Sequence, residues 1–331
     1  MSFLKPILFS AVQPTGQLTI GNYIGTLSHW SDFQDRYQCI FSIADLHSMT
    51  VLQDSKKLKK SQLDTIAFYL SVGVDPKKSI VFLQSSVSEH CKLYWVLSCY
   101  TYFGELIRMT QFKNKSKIHS NNVNSGLFTY PILMASDILL YHSEYVLIGN
   151  DQKQHLELVR NLVKRFNFLY GDIFKMPNIC IPQKNNSKVM SLLCPTCKMS
   201  KSDANPNNVI FLLEDSKSIF KKIQRSVTDS EQKILYDVNK KAGISNLLNI
   251  YSNFTGKSIL ELEEKFLHTS YKDFKYLVAK VISKTLLKIQ EKFYYFRSNE
   301  HYLNEILKEG SYRAQYYAKN IINQVYHVLG L

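Results

Sequence analysis

The chain has 331 residues, 45% of them apolar and 13% aromatic, which suits about two domains with their own cores and excludes a disordered chain. Basic side chains outnumber acidic ones 41 to 27, a formal charge of +14. That favours a polyanionic partner, although 34 of the 41 are lysines, a bias that coding composition produces by itself. No run approaches the ~18 apolar residues of a membrane span. A single Lys5 precedes the apolar residues 6–12 and no small-residue cleavage site follows, so no signal peptide is expected. Six cysteines then read as reduced thiols of a cytoplasmic protein with no membrane partner.

In chain order, Ile7–Ser10, Cys39–Ala44, Ser79–Leu83 and Tyr145–Ile148 read as buried strands, with helices expected at about 21–35, 55–72, 87–103 and 130–142. The second of these helices has Asp54 or Ser55 as its cap and Gly73 as its stop. Strands alternating with helices predict a parallel sheet with crossovers, whose ligands sit outside the carboxyl ends of the strands. Gln13, Pro14 and Thr15 follow the first strand, Asp45 and His47 the second, and Gly149, Asn150, Asp151 and Gln152 the fourth. Beyond residue 205 the strand signals stop, and helices are expected near 215–225, 243–253, 258–267, 272–297 and 311–329. The expected organisation is an α/β catalytic domain over 1–195, a loop over 196–205 and an all-helical domain over 206–331.

Two segments carry phosphate chemistry. Gln13 to Asn22 forms a turn into a helix, where backbone N–H groups are presented to an anion. Lys198-Met199-Ser200-Lys201-Ser202 sets two lysines three apart in a stretch rich in Asn, Ser and Pro. Together they predict a nucleotide held across a cleft. Met134 and Asp137 lie three apart on a helix, hence on one face. A carboxylate on that apolar face needs a partner that donates.

Taken together the strings resemble the class I aminoacyl-tRNA synthetases, and among them the bacterial-type tryptophanyl branch. The resemblance covers essentially the whole chain. It rests on Q-P-T-G with T-I-G-N at 13–22, D-x-H at 45–47 and M-T-Q-F-K at 109–113, then on Y-P-I-L-M-A-S-D-I-L-L-Y at 130–141, G-N-D-Q-K-Q-H at 149–155 and K-M-S-K-S-D at 198–203. It implies a Rossmann-like fold of the HIGH type, with T-I-G-N in place of H-I-G-H, and a helical anticodon-binding domain. The implied reaction joins L-tryptophan to ATP with Mg²⁺, then to tRNA(Trp), in a homodimer.

The implied catalytic residues are Lys198, Lys201, Thr19 and Asn22. ATP contacts are implied at Gln13, Pro14, Thr15, Gly21, Asn22, Lys115, Gly149, Asn150, Asp151, Val189, Lys198, Met199, Ser200, Lys201 and Ser202. Gly21 lets backbone approach adenine and ribose without a Cβ in the way, and Val189 touches adenine through its backbone. Tryptophan contacts are implied at Asp137, Met134, Phe9, His47, Tyr130 and Gln152. His155 is read as helix surface, and His47 as either a pocket residue or a satisfied structural histidine.

Departures from the family pattern are Asn150 at a commonly acidic position, Ala11 for Gly, Leu46 for Gln, and Cys197 where a basic residue is usual. Cys194-Pro195-Thr196-Cys197 abuts the lysine loop. It reads as half a metal site with Cys180 as a third ligand, as a redox pair, or as two chance cysteines. Three rivals stand beside the ligase reading: a tyrosyl enzyme of the same class, a small-molecule nucleotidyltransferase, and an inactive RNA-binding relative.

Overall fold

The computed structural model describes residues 5–118, 123–149, 152–180, 188–201 and 203–331, without the side chains of 115, 117 and 118. Two compact units emerge. The first comprises Met1–Thr15, Trp30–Cys180 and Phe296–Leu331; the second comprises Gly16–His29 and Ile181–Tyr295.

The first unit is built on five parallel strands, β1 (Ile7–Val12), β2 (Gln38–Ile43), β3 (Ile80–Leu83), β4 (Tyr145–Val146) and β5 (Asn178–Ile179), in the order β3-β2-β1-β4-β5. Phe9 pairs with Ile40 on one side and Val146 on the other, and Ile40 pairs in turn with Ile80. All four are buried, as expected of parallel strands covered on both faces. The chain runs outward from β1 through β2 to β3, then restarts at β4 on the other side of β1. The switch point therefore lies between the carboxyl ends of β1 and β4. The parallel, Rossmann-like sheet expected from the sequence is present, and β5 is a strand the pattern did not announce.

In chain order the helices are α1 (Ile20–Gly25), α2 (Trp30–Arg36), α3 (Asp45–Ser48), α4 (Ser55–Ser71), α5 (Glu89–Cys99), α6 (Phe103–Ile107), α7 (Thr110–Ile118), α8 (Ser125–Leu139), α9 (Lys153–Tyr170), α10 (Ser216–Arg225), α11 (Ala242–Thr255), α12 (Ile259–Lys265), α13 (Tyr271–Arg297) and α14 (Glu300–Leu329). Asp54 caps α4 by accepting from Lys57 N at 2.8 Å, and Asn124 caps α8 by accepting from Leu127 N at 2.9 Å. Pro131 lies inside α8, so the helix begins before the residue at which the sequence reading placed its start. The single helix expected at 21–35 is broken, with a 3₁₀ turn over Leu27–His29 between α1 and α2.

α14 belongs to the sheet unit. Gly310 meets β3 so closely that a Cβ there would lie 1.8 Å from the Val81 carbonyl oxygen. Nearby, the Arg313 guanidinium donates to the carbonyls of Pro76 at 3.0 Å and Ser79 at 3.2 Å. A helix thus lies against the outermost strand on that side, which blunts its tendency to pair with other chains.

In the second unit α1 is tied to the segment after the lysine loop: Ile20 N donates to Ile210 O at 3.0 Å and Leu212 N to Leu18 O at 2.8 Å. Asp215 caps α10, as expected, through Ser218 N at 2.9 Å. At the other end of α10 the buried Lys275 donates through its ammonium to Ser226 O at 2.7 Å and Gln224 O at 3.3 Å. Those carbonyls have no partner within the helix, so the cation satisfies them and the dipole together. From α10 to α13 every element of this unit is helical.

Candidate active site

Asp137 lies on α8 and is 2% exposed. A carboxylate can only accept, so its neighbours must donate. His47 Nε2, just after β2, stands 2.9 Å from Oδ2; Gln84 Nε2, just after β3, donates to Oδ1 at 2.7 Å; His90 Nδ1, on α5, donates to the same oxygen at 2.7 Å. Burial by itself would raise the carboxyl pKa, but the hydrogen bonds from His47 and His90 outweigh it and hold the group well below the usual carboxylate range. Three of its about four acceptor positions are filled. One position on Oδ2 remains for a further donor.

The network extends outward from there. With Nδ1 on Asp137, the far nitrogen of His90 pairs with the Tyr141 hydroxyl at 2.8 Å. Burial first, then the Asp137 charge, pushes the Tyr141 hydroxyl well above its ordinary value, so it stays protonated. Gln84 Oε1 accepts from Leu46 N at 3.2 Å. Its amide therefore links the turn after β2 to Asp137. Asp45 is buried in the same turn and accepts from Gln62 Nε2 at 2.9 Å and Ser85 N at 2.9 Å.

Around the carboxylate the sequence-predicted residues divide. His47 is brought to it directly. Phe9 is buried in β1 and stacks on Tyr141 with ring centroids 5.8 Å apart. Tyr130 meets the His47 ring edge-on at 6.3 Å. Met134 is half-buried against the same core. Gln152 is not aimed at Asp137; its Oε1 accepts from His155 Nδ1 at 2.7 Å, and His155 Nε2 pairs with the Tyr130 hydroxyl at 2.9 Å. His155 is thus a correction: it is fully buried. It sits on the face of α9 that carries Val159, Leu162 and Phe166, where a helix spaces inward residues three and four apart.

Gln13, Pro14 and Thr15 follow β1, and Thr15 N folds back on Gln13 O at 2.8 Å. Gly149 follows β4 and accepts from Gln152 N at 2.9 Å. Asn150, Asp151 and Ser202, and the Lys115 side chain, lie outside the described residues.

The remaining predicted residues belong to the second unit. Thr19 and Asn22 close a reciprocal cap on α1: Asn22 N donates to Thr19 Oγ1 at 3.3 Å, and Thr19 N donates to Asn22 Oδ1 at 3.0 Å. Thr19 is buried and committed to this cap. Because Asn22 Oδ1 is held by a backbone donor, its exposed side chain turns the amide Nδ2, a donor, outward. A Cβ on Gly21 would come within 3.3 Å of Thr19 Oγ1 and 3.8 Å of Val189 Cβ, so the position has little room for a side chain.

The lysine loop begins as a short antiparallel ladder. Ser191 N donates to Cys197 O at 2.8 Å and Met199 N to Val189 O at 3.0 Å, and Met190 is held from both sides by the Asn246 amide at 2.9 Å. Met199 is buried while Lys198, Ser200 and Lys201 are exposed, the alternation expected of an extended segment. One residue anchors the loop and its neighbours present hydroxyl and ammonium groups. Gly16, at φ +66°, has the Lys201 Cδ within 3.7 Å of where a Cβ would stand.

Gln84, His90 and Tyr141 escaped the sequence reading. Gln84 directly follows a strand, where the sheet topology puts ligand-side residues, and that position was the available signal. His90 stands among Ser88, Glu89, Cys91 and Lys92 and carries no local mark, and Tyr141 closes the 130–141 string without a role assigned to it.

The sequence profile of the family described as "tRNA synthetases class I (W and Y)" matches residues 4–287. The chain is 58% identical over 327 residues to the tryptophan–tRNA ligase of Buchnera aphidicola subsp. Schizaphis graminum, covering 97% of both. Its structure is similar to that of tryptophanyl-tRNA synthetase from Mycoplasma pneumoniae, with TM-score 0.91, 33% identity and coverage of 99% and 98% of the two chains. The Campylobacter jejuni enzyme complexed with ADP and tryptophan matches with TM-score 0.81, 33% identity and coverage of 98% and 100%. The chain belongs to the tryptophan–tRNA ligase family of class I tRNA synthetases.

Proposed function

We propose that this chain activates L-tryptophan with ATP, forming tryptophanyl-adenylate and pyrophosphate, and then passes the tryptophan to the 3′ end of tRNA(Trp). The observation that carries the amino-acid choice is Asp137, a buried carboxylate held by three donors with one acceptor position left on Oδ2. An indole N–H satisfies that position. Phenylalanine leaves it empty, and a site built around a buried polar group rejects such an analogue strongly. Phe9, Tyr130 and Met134 supply apolar surface for the ring, His47 and Gln152 the polar margin.

In the activation step an oxygen of the tryptophan carboxylate attacks the α-phosphorus. A new P–O bond forms as the bond to the β-phosphate oxygen breaks, and pyrophosphate leaves with the electron pair. Charge grows on the phosphate oxygens, and fixed cations lower that barrier. Lys198 and Lys201 are the cations of this reading; Ser200, Met199 and Ser202 complete their loop. Asn22 offers its outward amide to the nucleotide, and Thr19 holds Asn22. Gln13, Pro14, Thr15, Gly21, Lys115, Gly149, Asn150, Asp151 and Val189 are assigned to the rest of the nucleotide. Mg²⁺ accompanies ATP. Such an ion is typically carried by substrate phosphate oxygens with only one or two protein ligands.

The terminal ribose 2′-hydroxyl of the tRNA then attacks the acyl carbon and AMP leaves. Lysine-rich helices of the later chain are assigned to the tRNA phosphates. A homodimer is the proposed assembly. Phe168, 88% exposed, lines a surface groove of about 530 Å³ with Tyr102, Leu169, Asn161, Lys164 and Arg165. No helix among the described residues is long and apolar enough to cross a membrane. We place the enzyme in the cytoplasm, where its tRNA is.

Pyrophosphate exchange into ATP, measured with each amino acid in turn, tests the assignment. Exchange with tryptophan alone is expected. A preference for tyrosine overturns it in favour of the tyrosyl enzyme, and exchange with no amino acid points to the nucleotidyltransferase or to the inactive relative.

A further inference from the structure

The sequence Cys194-Pro195-Thr196-Cys197 forms a tight turn in the second unit, closed by Cys197 N donating to Cys194 O at 2.8 Å. The turn brings the two sulfurs to 2.9 Å, both as free thiols. Cys194 is half-buried and Cys197 exposed, so both are reachable. The next residue is Lys198. Cys197 O is also the acceptor for Ser191 N at 2.8 Å, the first rung of the ladder that carries the lysine loop. We infer that Cys194 and Cys197 form a reversible dithiol–disulfide site whose oxidised state restrains the lysine loop and lowers adenylate formation. The activity part of this inference rests on the ligase reading above.

The geometry requires little rearrangement. A four-residue turn keeps its end Cα atoms within about 7 Å, inside the span a disulfide bridges, and the sulfurs must close only to about 2.0 Å. The two thiols are chemically unequal. Hydrogen bonding with the Cys197 side chain, and then with the Thr196 hydroxyl, lowers the pKa of Cys194, whereas the same contact with Cys194 raises that of Cys197. Cys194 is therefore the attacking thiolate.

With a low-molecular-weight disulfide as oxidant, the Cys194 thiolate attacks one sulfur of that disulfide. A mixed disulfide forms, and one small thiolate leaves and takes a proton from water. Cys197 loses its proton to solvent and attacks the Cys194 sulfur, releasing the second small thiol. Two protein thiols are oxidised by two electrons and one small disulfide is reduced to two thiols. An exposed disulfide of this kind is readily reduced again. The consequence for catalysis follows from continuity of the backbone. A covalent ring ending at Cys197 removes freedom from the residue preceding Lys198, and loops that complete a site after substrate binding need that freedom.

The test uses the full chain equilibrated in buffers of oxidised and reduced glutathione. Peptide mass mapping reads the Cys194–Cys197 bond, amide hydrogen exchange reads the peptide carrying Lys198 to Lys201, and tryptophan-dependent pyrophosphate exchange reads activity. Oxidation is expected to form the bond, slow amide exchange across the lysine loop, and lower pyrophosphate exchange by roughly tenfold, the scale of a slightly misplaced catalytic group. Dithiothreitol is expected to reverse all three. Cys194→Ser and Cys197→Ser are expected to keep the reduced enzyme's activity and lose the response, although the exposed Cys91 and Cys99 remain. Absence of the bond, a bond with no change in amide exchange, or an unchanged oxidant response in either variant overturns the inference. Mass mapping and amide exchange need no turnover. A chain without exchange activity therefore refutes the ligase reading while these two readouts still judge the cysteine pair.

Discussion

His90 holds Asp137 through a 2.7 Å hydrogen bond from Nδ1 to Oδ1, and the opposite nitrogen of the same ring meets the Tyr141 hydroxyl at 2.8 Å. The imidazole is clamped at both ends. It leaves Oδ1 saturated, by itself and Gln84, and the open acceptor position on Oδ2. His90 is accordingly a positioning residue for the indole. His90→Leu is expected to raise KM for tryptophan by roughly 10-fold, the value of a hydrogen bond to a charged group, with KM for ATP unchanged. Steady-state pyrophosphate exchange at varied tryptophan and varied ATP checks this.

Asp137→Asn keeps the shape and removes the charge. The amide cannot accept on both sides, so one of the donors on His47, His90 and Gln84 loses its mate. Tryptophan-dependent exchange is expected to fall by about 100-fold, and stability by about 3 kcal/mol, because a buried donor network loses its anion. Urea unfolding at pH 7 reads the second quantity.

The same carboxylate predicts an acid limb. Its pKa in the folded chain lies well below the usual range, whereas in the unfolded chain it is near 3.9. The unfolded state therefore binds the proton first. The stabilisation is complete above about pH 5 and is lost as pH falls through 3.9 toward the folded value. Unfolding midpoints measured from pH 7 to pH 3 should show the difference between the parent chain and Asp137→Asn constant above about pH 5 and shrinking progressively below it.

Gly310→Ala places a methyl group 1.8 Å from the Val81 carbonyl oxygen, so α14 must move away from β3. A loss of about 3 kcal/mol is expected, at the upper end of overpacking costs. Gly104→Ala is the control. Nothing lies within 4 Å of that position, and replacing a helical glycine there should be neutral or stabilising by up to about 1 kcal/mol. Thermal unfolding of the two variants separates close packing from helix propensity.

Gly310 also adjoins a misread boundary. The sequence reading starts the last helix at residue 311, whereas α14 starts at Glu300 and runs through Gly310. The residue is there for the backbone it touches, and that backbone is more than 200 residues away in the chain. β1, β2 and β3 were legible because a strand buried on both faces needs an unbroken apolar run. β5 was not, since Asn178–Ile179 is too short to show a period. Asp137 was legible because a carboxylate on an apolar helix face demands a partner. The identity of its partners was not, since His47, Gln84 and His90 come from three different segments that only the sheet brings together.

Lys198 and Lys201 are expected to act together on the developing phosphate charge. Each single replacement by methionine should lower the single-turnover rate of adenylate formation by about 100-fold, the scale of removing one transition-state donor. Tryptophan binding, followed by equilibrium dialysis without ATP, should be unchanged. A loss of tryptophan affinity in either variant would assign the lysines to the amino acid instead.

The most direct measurement is acylation of unfractionated tRNA by the purified chain with ATP and Mg²⁺, comparing radiolabelled tryptophan and tyrosine at equal concentration. The account predicts that tryptophan alone becomes attached to tRNA, and that Asp137→Asn abolishes most of that charging. Attachment of tyrosine, or full charging with tryptophan by Asp137→Asn, contradicts it.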